Sequence, residues 1–288
     1  MKLAIVVDSS CGLTKKEAES RGWYFLPLYL DIDGKEYRDG IDITSENFLD
    51  YYKPTSIGKT ACTPIGEALQ LIEDLSKKND FVVIYPISMD LSSQYNNLEV
   101  IARQLKNVYV VKSKRVCQFI VRDLVELEKD VLSNELTVKQ SIAQIEKQNY
   151  SQVDILLYPK DITVLARGGR LSPSAAKLAK LLKIFPVIGM QDGKLEKFDK
   201  GVTFSKTFFN TAIEQYKKVS KRKQKNIIFL DTANENADDM CSELIEKIKY
   251  DKEVIRNSIP PIIAIHTGYG AISIFFIEFK YNIKEYKL

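Results

Sequence analysis

The chain has 288 residues, long for one compact core and comfortable for two lobes. It is 45% hydrophobic and 28% charged, as globular proteins are, and 42 basic against 38 acidic side chains leave a net charge of only +4. That balance gives no reason to expect nucleic acid as a partner, and the longest apolar runs, such as 271–277, are too short to span a bilayer.

In the first half, β-branched runs at 3–7, 25–32, 81–87 and 108–111 read as strands, several apolar on both faces as buried parallel strands are. Helical spacing separates them: Ala68, Leu69, Leu71, Ile72 and Leu75 share one face, and Leu98, Ile101 and Leu105 another. A third helix over 116–132 turns Ile120, Leu124, Leu127 and Val131 toward a core. Strands alternating with helices predict an α/β lobe with a mostly parallel sheet over residues 1–150.

Residues 151–288 predict an α+β lobe with a mixed sheet. A strand at 155–158 is followed by a helix opened by Ser172 as cap and Pro173 in its first turn. The strand 185–190, the Asp192-Gly193 turn and a return strand at 194–198 form a hairpin. A helix at 205–217, a strand at 227–230 and a helix at 237–248 precede three final strands, at 254–259, 262–265 and 272–279.

Cys11, Cys62, Cys117 and Cys241 lie far apart with no C-x-x-C pair, which points to reduced thiols and a cytoplasmic location. Met1-Lys2 runs straight into the first strand, so no signal peptide is expected. One histidine with no acidic cluster beside it offers no metal site, and no glycine-rich nucleotide loop is present.

The loops beyond the strands are rich in hydroxyls: Asp8-Ser9-Ser10-Cys11-Gly12, Thr60-Ala61-Cys62-Thr63-Pro64, Ser88-Met89-Asp90-Leu91-Ser92-Ser93 and Lys112-Ser113-Lys114. Hydroxyls and free N–H groups at helix starts either cap the helix or bind an anion. His266-Thr267-Gly268-Tyr269-Gly270 is expected at a strand end, where His266 is either structural or a switchable donor to a carboxylate or phosphate. Arg167-Gly168-Gly169-Arg170 reads as an exposed turn, solvated or docking a partner. The basic run Lys217, Lys218, Lys221, Arg222, Lys223 and Lys225 reads as a solvated helix end.

In this order, these loops resemble those of the DegV family of fatty-acid-binding proteins. Leu26-Pro27-Leu28 is similar to that family's Val-Pro-Leu strand, Ser88, Leu91, Ser92 and Tyr95 match its serine loop, and Gly168-Gly169-Arg170-Leu171-Ser172 is close to its Gly-Gly-Arg-Ile-Ser. The resemblance implies a two-lobed protein that is not itself an enzyme, with a long-chain fatty acid between the lobes and no other cofactor. Its carboxylate is expected at Thr60, Ala61, Ser92, Ser93, His266 and Thr267. A separate ATP-dependent fatty acid kinase is implied as partner, with Arg170 as a contact and phospholipid synthesis as destination. Asp90 and Ser93 replace two glycines of the family pattern, and Asp90 places a negative charge beside the expected carboxylate. Residues 200–203 lack an arginine that many relatives carry, so a carrier or sensor uncoupled from any kinase is the alternative. A Cys62/His266 acyl hydrolase is the rival of another class. Leu91, Ile184, Phe185, Ile265 and Ile274, beside the polar loops, either line a tunnel or are ordinary core packing, the commoner role for any one of them taken alone.

Overall fold

The computed structural model describes residues 1–148, 150–177, 184–220 and 225–287, so Lys221, Arg222 and Lys223 of the basic run lie outside the described residues. The first half comprises β1 (Leu3–Asp8), α1 (Lys15–Ser20), β2 (Tyr24–Leu26), β3 (Tyr29–Ile32), β4 (Lys35–Arg38), α2 (Phe48–Tyr51), β5 (Gly58–Ala61), α3 (Ile65–Lys78), β6 (Phe81–Tyr85), α4 (Gln94–Ala102), β7 (Val108–Val110), α5 (Gln118–Leu132) and α6 (Val138–Glu146). The second half comprises β8 (Ile155–Tyr158), α7 (Ile162–Arg167), α8 (Pro173–Ala176), β9 (Phe185–Gln191), β10 (Lys194–Gly201), α9 (Phe204–Ser220), β11 (Asn226–Asp231), α10 (Ala237–Ile248), β12 (Ile255–Ser258), α11 (Pro261–Thr267) and β13 (Ile272–Ile277).

The expected parallel sheet is present, in the order β2-β1-β6-β7 with every pairing parallel. Successive side chains of a strand face opposite sides, and β1 shows why both of its faces are apolar. Ile5 and Val7 pack toward α5 and α6, while Ala4 and Val6 pack toward α3 and α4. The second sheet is mixed as expected, in the order β10-β9-β8-β13-β11-β12, with only β11 and β12 parallel. Its outer face, with Leu156, Phe229, Ile274 and Phe276, is covered by α9 and α10. Its inner face, with Ile155, Leu157, Leu230 and Phe275, turns to a core shared with residues of β3 and the start of α5.

Two expected strands differ. The run 25–32 is divided at Pro27, which has no N–H to give a ladder. The backbone groups freed at the break are taken by side chains: Ser9 Oγ accepts from Leu28 N at 3.1 Å, and Thr63 Oγ1 donates to Pro27 O at 2.8 Å. Beyond the break β3 leaves the parallel sheet and joins an antiparallel sheet of three, β4-β3-β5. The second difference is 262–265, which is the helix α11 and not a strand. Pro261 in its first turn and Gly268, at φ +79°, after its last residue frame the helix, and that punctuation outweighs the β-propensity of three isoleucines.

After β13 the chain returns to α5. Tyr286 is fully buried, stacks on Phe279 at 4.2 Å and donates to Glu126 at 3.2 Å.

Candidate ligand site between the sheets

A cavity of about 280 Å³ lies between the inner face of the mixed sheet and the three-stranded sheet. That is close to the lower end of the roughly 300–1,000 Å³ range of small-molecule sites. The strands supply its walls through the alternation just described: Ile155 and Leu157 from β8, Met190 from β9, Leu230 from β11 and Phe275 from β13. Val116 and Cys117 come from the start of α5, and Ile262 and Ile263 from α11. Cys117 holds φ +53°, ψ −138°, a backbone region that costs a non-glycine residue on the order of 1–3 kcal/mol.

The polar groups gather where β5, the start of α4, α11 and the turn after α7 meet. Thr60, Ala61 and Cys62 come from the end of β5, Ser92 and Ser93 from just before α4, His266 and Thr267 from α11, and Arg170 from that turn. Thr60 Oγ1 and His266 Nε2 are 2.9 Å apart. Ser92 Oγ accepts from Gln94 N at 3.2 Å and lies 3.6 Å from Cys62 Sγ. The two hydroxyl loops are locked together one layer deeper, where Gln94 Oε1 accepts from Thr63 N at 3.1 Å and Gln94 Nε2 donates to Thr63 Oγ1 at 2.9 Å. Both side chains are buried, which gives this pair leverage over where Thr60 and Ser92 sit.

Glycines permit the closest approaches. A Cβ on Gly58 of β5 would stand 2.8 Å from Ile265 Cγ2, so its absence seats α11 directly on the strand that carries Thr60. A Cβ on Gly168 would stand 2.7 Å from His266 Nδ1, so the end of α7 backs the imidazole closely.

His266 is half-buried, and burial pushes its imidazole down to about 4, with the Arg170 guanidinium adding to the effect. It is therefore neutral at pH 7, with one ring nitrogen donating and the other accepting. In the tautomer with hydrogen on Nε2, the ring donates to Thr60 Oγ1 and leaves the threonine proton free to point at a ligand. A chain of donors in that direction favours an acceptor-only group at the cavity mouth. Arg170 adds positive charge there, anchored by Nη1 to Gly168 O at 2.5 Å and more loosely by Nε to Leu91 O at 3.4 Å.

The structure thus brings Thr60, Ala61, Ser92, Ser93, His266, Thr267 and Arg170 to one cavity. It also corrects two sequence-based expectations, for Arg170 and His266, and decides between alternatives elsewhere. Arg170 is half-buried at the cavity, not projecting from an exposed turn, whereas Arg167 is exposed. His266 ends a helix and not a strand. The Asp8-Ser9-Ser10 loop makes no part of the cavity: Asp8 accepts from Ser10 N at 3.1 Å and Ile87 N at 2.7 Å, so these residues stitch the fold. Ser113 likewise bonds its own loop, donating to Arg115 O at 3.3 Å. Asp90 points away from the cavity toward Lys194, 3.8 Å distant. No hydrogen bond joins Cys62 to His266, because Thr60 takes the imidazole and Ser92 faces the thiol.

Of the five apolar residues that either line a tunnel or pack in the core, Leu91 lines the cavity and the other four are core packing. Ile274 faces α9 and α10, Ile265 packs on Gly58, and Phe185 meets Phe204 edge-on at 5.9 Å. Ile184 packs against the shared core beside the cavity. Strand alternation with Phe275 inward would have turned Ile274 outward, so that signal was available. Gln94, by contrast, carried no sequence signal.

An α/β protein with a parallel sheet, a mixed sheet, and an apolar cavity with hydroxyls at its mouth is a recognisable class. A family model described as "Uncharacterised protein, DegV family" matches residues 2–278, and this chain belongs to the DegV family. A DegV domain-containing protein of Mycoplasmopsis pulmonis is 40% identical over 279 residues, 96% of each chain. Among solved structures, a DegV fatty acid binding protein from Bacillus subtilis superposes with a TM-score of 0.81 at 23% identity, covering 96% of this chain and 100% of that one. A stearic-acid-binding protein from Eubacterium ventriosum superposes with a TM-score of 0.78 at 20% identity, covering 94% and 97%. At these identities the likeness establishes the fold. Among the described residues no helix is long and apolar enough to cross a membrane.

Proposed function

We propose that the cavity takes a long-chain fatty acid, with its carboxylate at Thr60, Ala61, Ser92, Ser93, His266 and Thr267 and its acyl chain along the inner face of the mixed sheet. The observation that carries this reading is the division of the cavity into an apolar interior and a hydroxyl-bearing mouth. Each methylene removed from water contributes about 0.8 kcal/mol, so the chain supplies most of the affinity and the mouth sets its direction. The fatty-acid-binding and stearic-acid-binding proteins among the similar solved structures support the same ligand.

We further propose that the protein is a binding subunit and not an enzyme. Ala61 and Ser93 are exposed at the mouth, which leaves the carboxylate within reach of an external phosphoryl donor. A separate ATP-dependent kinase that forms the acyl phosphate, meeting this chain at Arg170, fits that exposure.

Native mass spectrometry of the purified protein tests the ligand. A co-purifying fatty acid, displaced by added palmitate, is the expected result. A protein that emerges empty and takes up no fatty acid would refute the reading.

A further inference from the structure

A second, larger groove of about 970 Å³ opens on the other side of α11. Its walls are the loop from Ser9 to Thr14, the start of α1, the turn 39–46, and Asn257, Ser258, Pro260 and Pro261. None of these residues belongs to the fatty-acid cavity.

Asp39 lies at the base of this groove. It is 1% exposed, and neither of its carboxyl oxygens has a hydrogen-bond partner. Asp8, just as deeply buried, shows how the fold ordinarily treats such a group, with two backbone N–H groups and the Ser10 hydroxyl all donating to it. The Ser9 hydroxyl and the N–H groups of Gly40 and Ile262 face Asp39, yet none closes a hydrogen bond of normal geometry. Asn257 Nδ2 in the same groove is also buried and unpartnered. A buried group held this loosely is one that water or a ligand in the groove would complete.

The charges indicate its chemistry. Four carboxyl groups, Asp39, Glu17, Glu19 and Glu46, line the groove with two ammonium groups, Lys15 and Lys16. Lys15 is drawn to Glu19 at 3.7 Å, and Glu17 is held by Thr14. No cluster of three His, Cys, Asp or Glu side chains suited to a metal exists among the described residues. A hydrogen-bonding organic cation answers the Asp39 carboxyl in its ionised form, which only accepts.

We propose that this groove binds a small organic cation, an ammonium or guanidinium compound whose N–H groups satisfy Asp39 and which carries an acceptor atom for Asn257. Burial raises the free Asp39 carboxyl to about 8, with nearby Asp8 adding, so it holds its proton at pH 7. The remaining titratable groups around it are Cys11 and the lysines and glutamates already named, while Pro260 and Pro261 bring no charge from α11. A cation stabilises the ionised carboxylate, so binding releases a proton.

L-argininamide, which has a guanidinium, an ammonium and a carbonyl oxygen, is a suitable probe. The expected result is a saturable rise in melting temperature, with calorimetry in two buffers of different ionisation enthalpy showing proton release at pH 7. Asp39→Asn is expected to abolish the rise, Asn257→Ala to weaken binding at least fivefold, and succinate to give none. Thr60→Val is expected to leave the response unchanged, which separates this groove from the fatty-acid cavity. The absence of any saturable response overturns the proposal, as does a response unaltered in Asp39→Asn or a crystal structure in saturating argininamide with only water over Asp39. Should Asp39→Asn fail to fold, undiminished binding by Asn257→Ala together with no proton release overturns it equally.

Discussion

At the site itself, the pairing of Thr60 with His266 is the most consequential contact. Thr60→Val keeps the shape and removes the hydroxyl, leaving the half-buried Nε2, and the carboxylate of the proposed ligand, each one partner short. Loss of such a partner costs about 1–3 kcal/mol, so fatty-acid affinity should fall roughly 5- to 150-fold, while Thr60→Ser should keep most of it. Displacement of a fluorescent fatty acid measures both, and equal affinity in the valine variant would remove Thr60 from the head-group site. The imidazole can be followed separately, because the chain has a single histidine and so one set of ring resonances. These should titrate near pH 4 in the free protein, and Arg170→Gln should move them upward, since burial comes first and the guanidinium second in holding the ring neutral. A titration unchanged by Arg170→Gln would mean that burial alone sets it.

At the scale of elements, α11 seats on β5 through one missing methyl group. Gly58→Ala would place a Cβ at 2.8 Å from the Ile265 side chain, which is buried and must shift, pushing helix and strand apart where it cannot. The expected outcome is a stability loss of about 1–3 kcal/mol, as for overpacking elsewhere, with a larger proportional loss of fatty-acid binding because Thr60 and His266 ride on the two parted elements. Restored binding in Gly58→Ala combined with Ile265→Val would show that this contact is the cause. The same pair of elements shows what the sequence made legible. Periodicity in β1, β6 and β7 and in the helices beside them defined the parallel sheet, since both faces of each strand meet apolar partners close in the chain order. The three-stranded sheet was hidden, because β4 and β5 are short and polar and acquire their pairing only when Pro27 turns the chain aside. In α11, three isoleucines read as a strand, and the flanking Pro261 and Gly268 were the stronger signal. The hydroxyl loops at Thr60 and Ser92 line one cavity with His266. The apolar wall was not legible, because which strand face turns inward depends on packing between distant segments, as Ile274 and Phe275 show.

For the whole molecule, buried ionisable groups on the two sides of α11 give stability an opposed dependence on pH. His266 is held below its unfolded value of 6.5, so the unfolded chain takes up a proton first, and stability falls as pH drops from 6.5 toward 4. Asp39 and Asp8 are raised to about 8 and about 6, so the folded chain keeps protons that the unfolded chain has lost, and their stabilisation disappears as pH rises. Between pH 4 and 6 Asp8 and Asp39 oppose His266. Between pH 6.5 and 8 only Asp39 of these three still holds back a proton, with a limiting slope of about 1.4 kcal/mol per pH unit. Urea unfolding should therefore show a loss of roughly 2 kcal/mol from pH 6.5 to 8 by that slope, ahead of the alkaline titration of tyrosines and lysines. Asp39→Asn, which carries no titrating proton, should remove most of the loss. A wild-type midpoint that does not move over this interval, or one that moves equally in the asparagine variant, would place the Asp39 carboxyl in contact with water or a partner that the free fold does not provide.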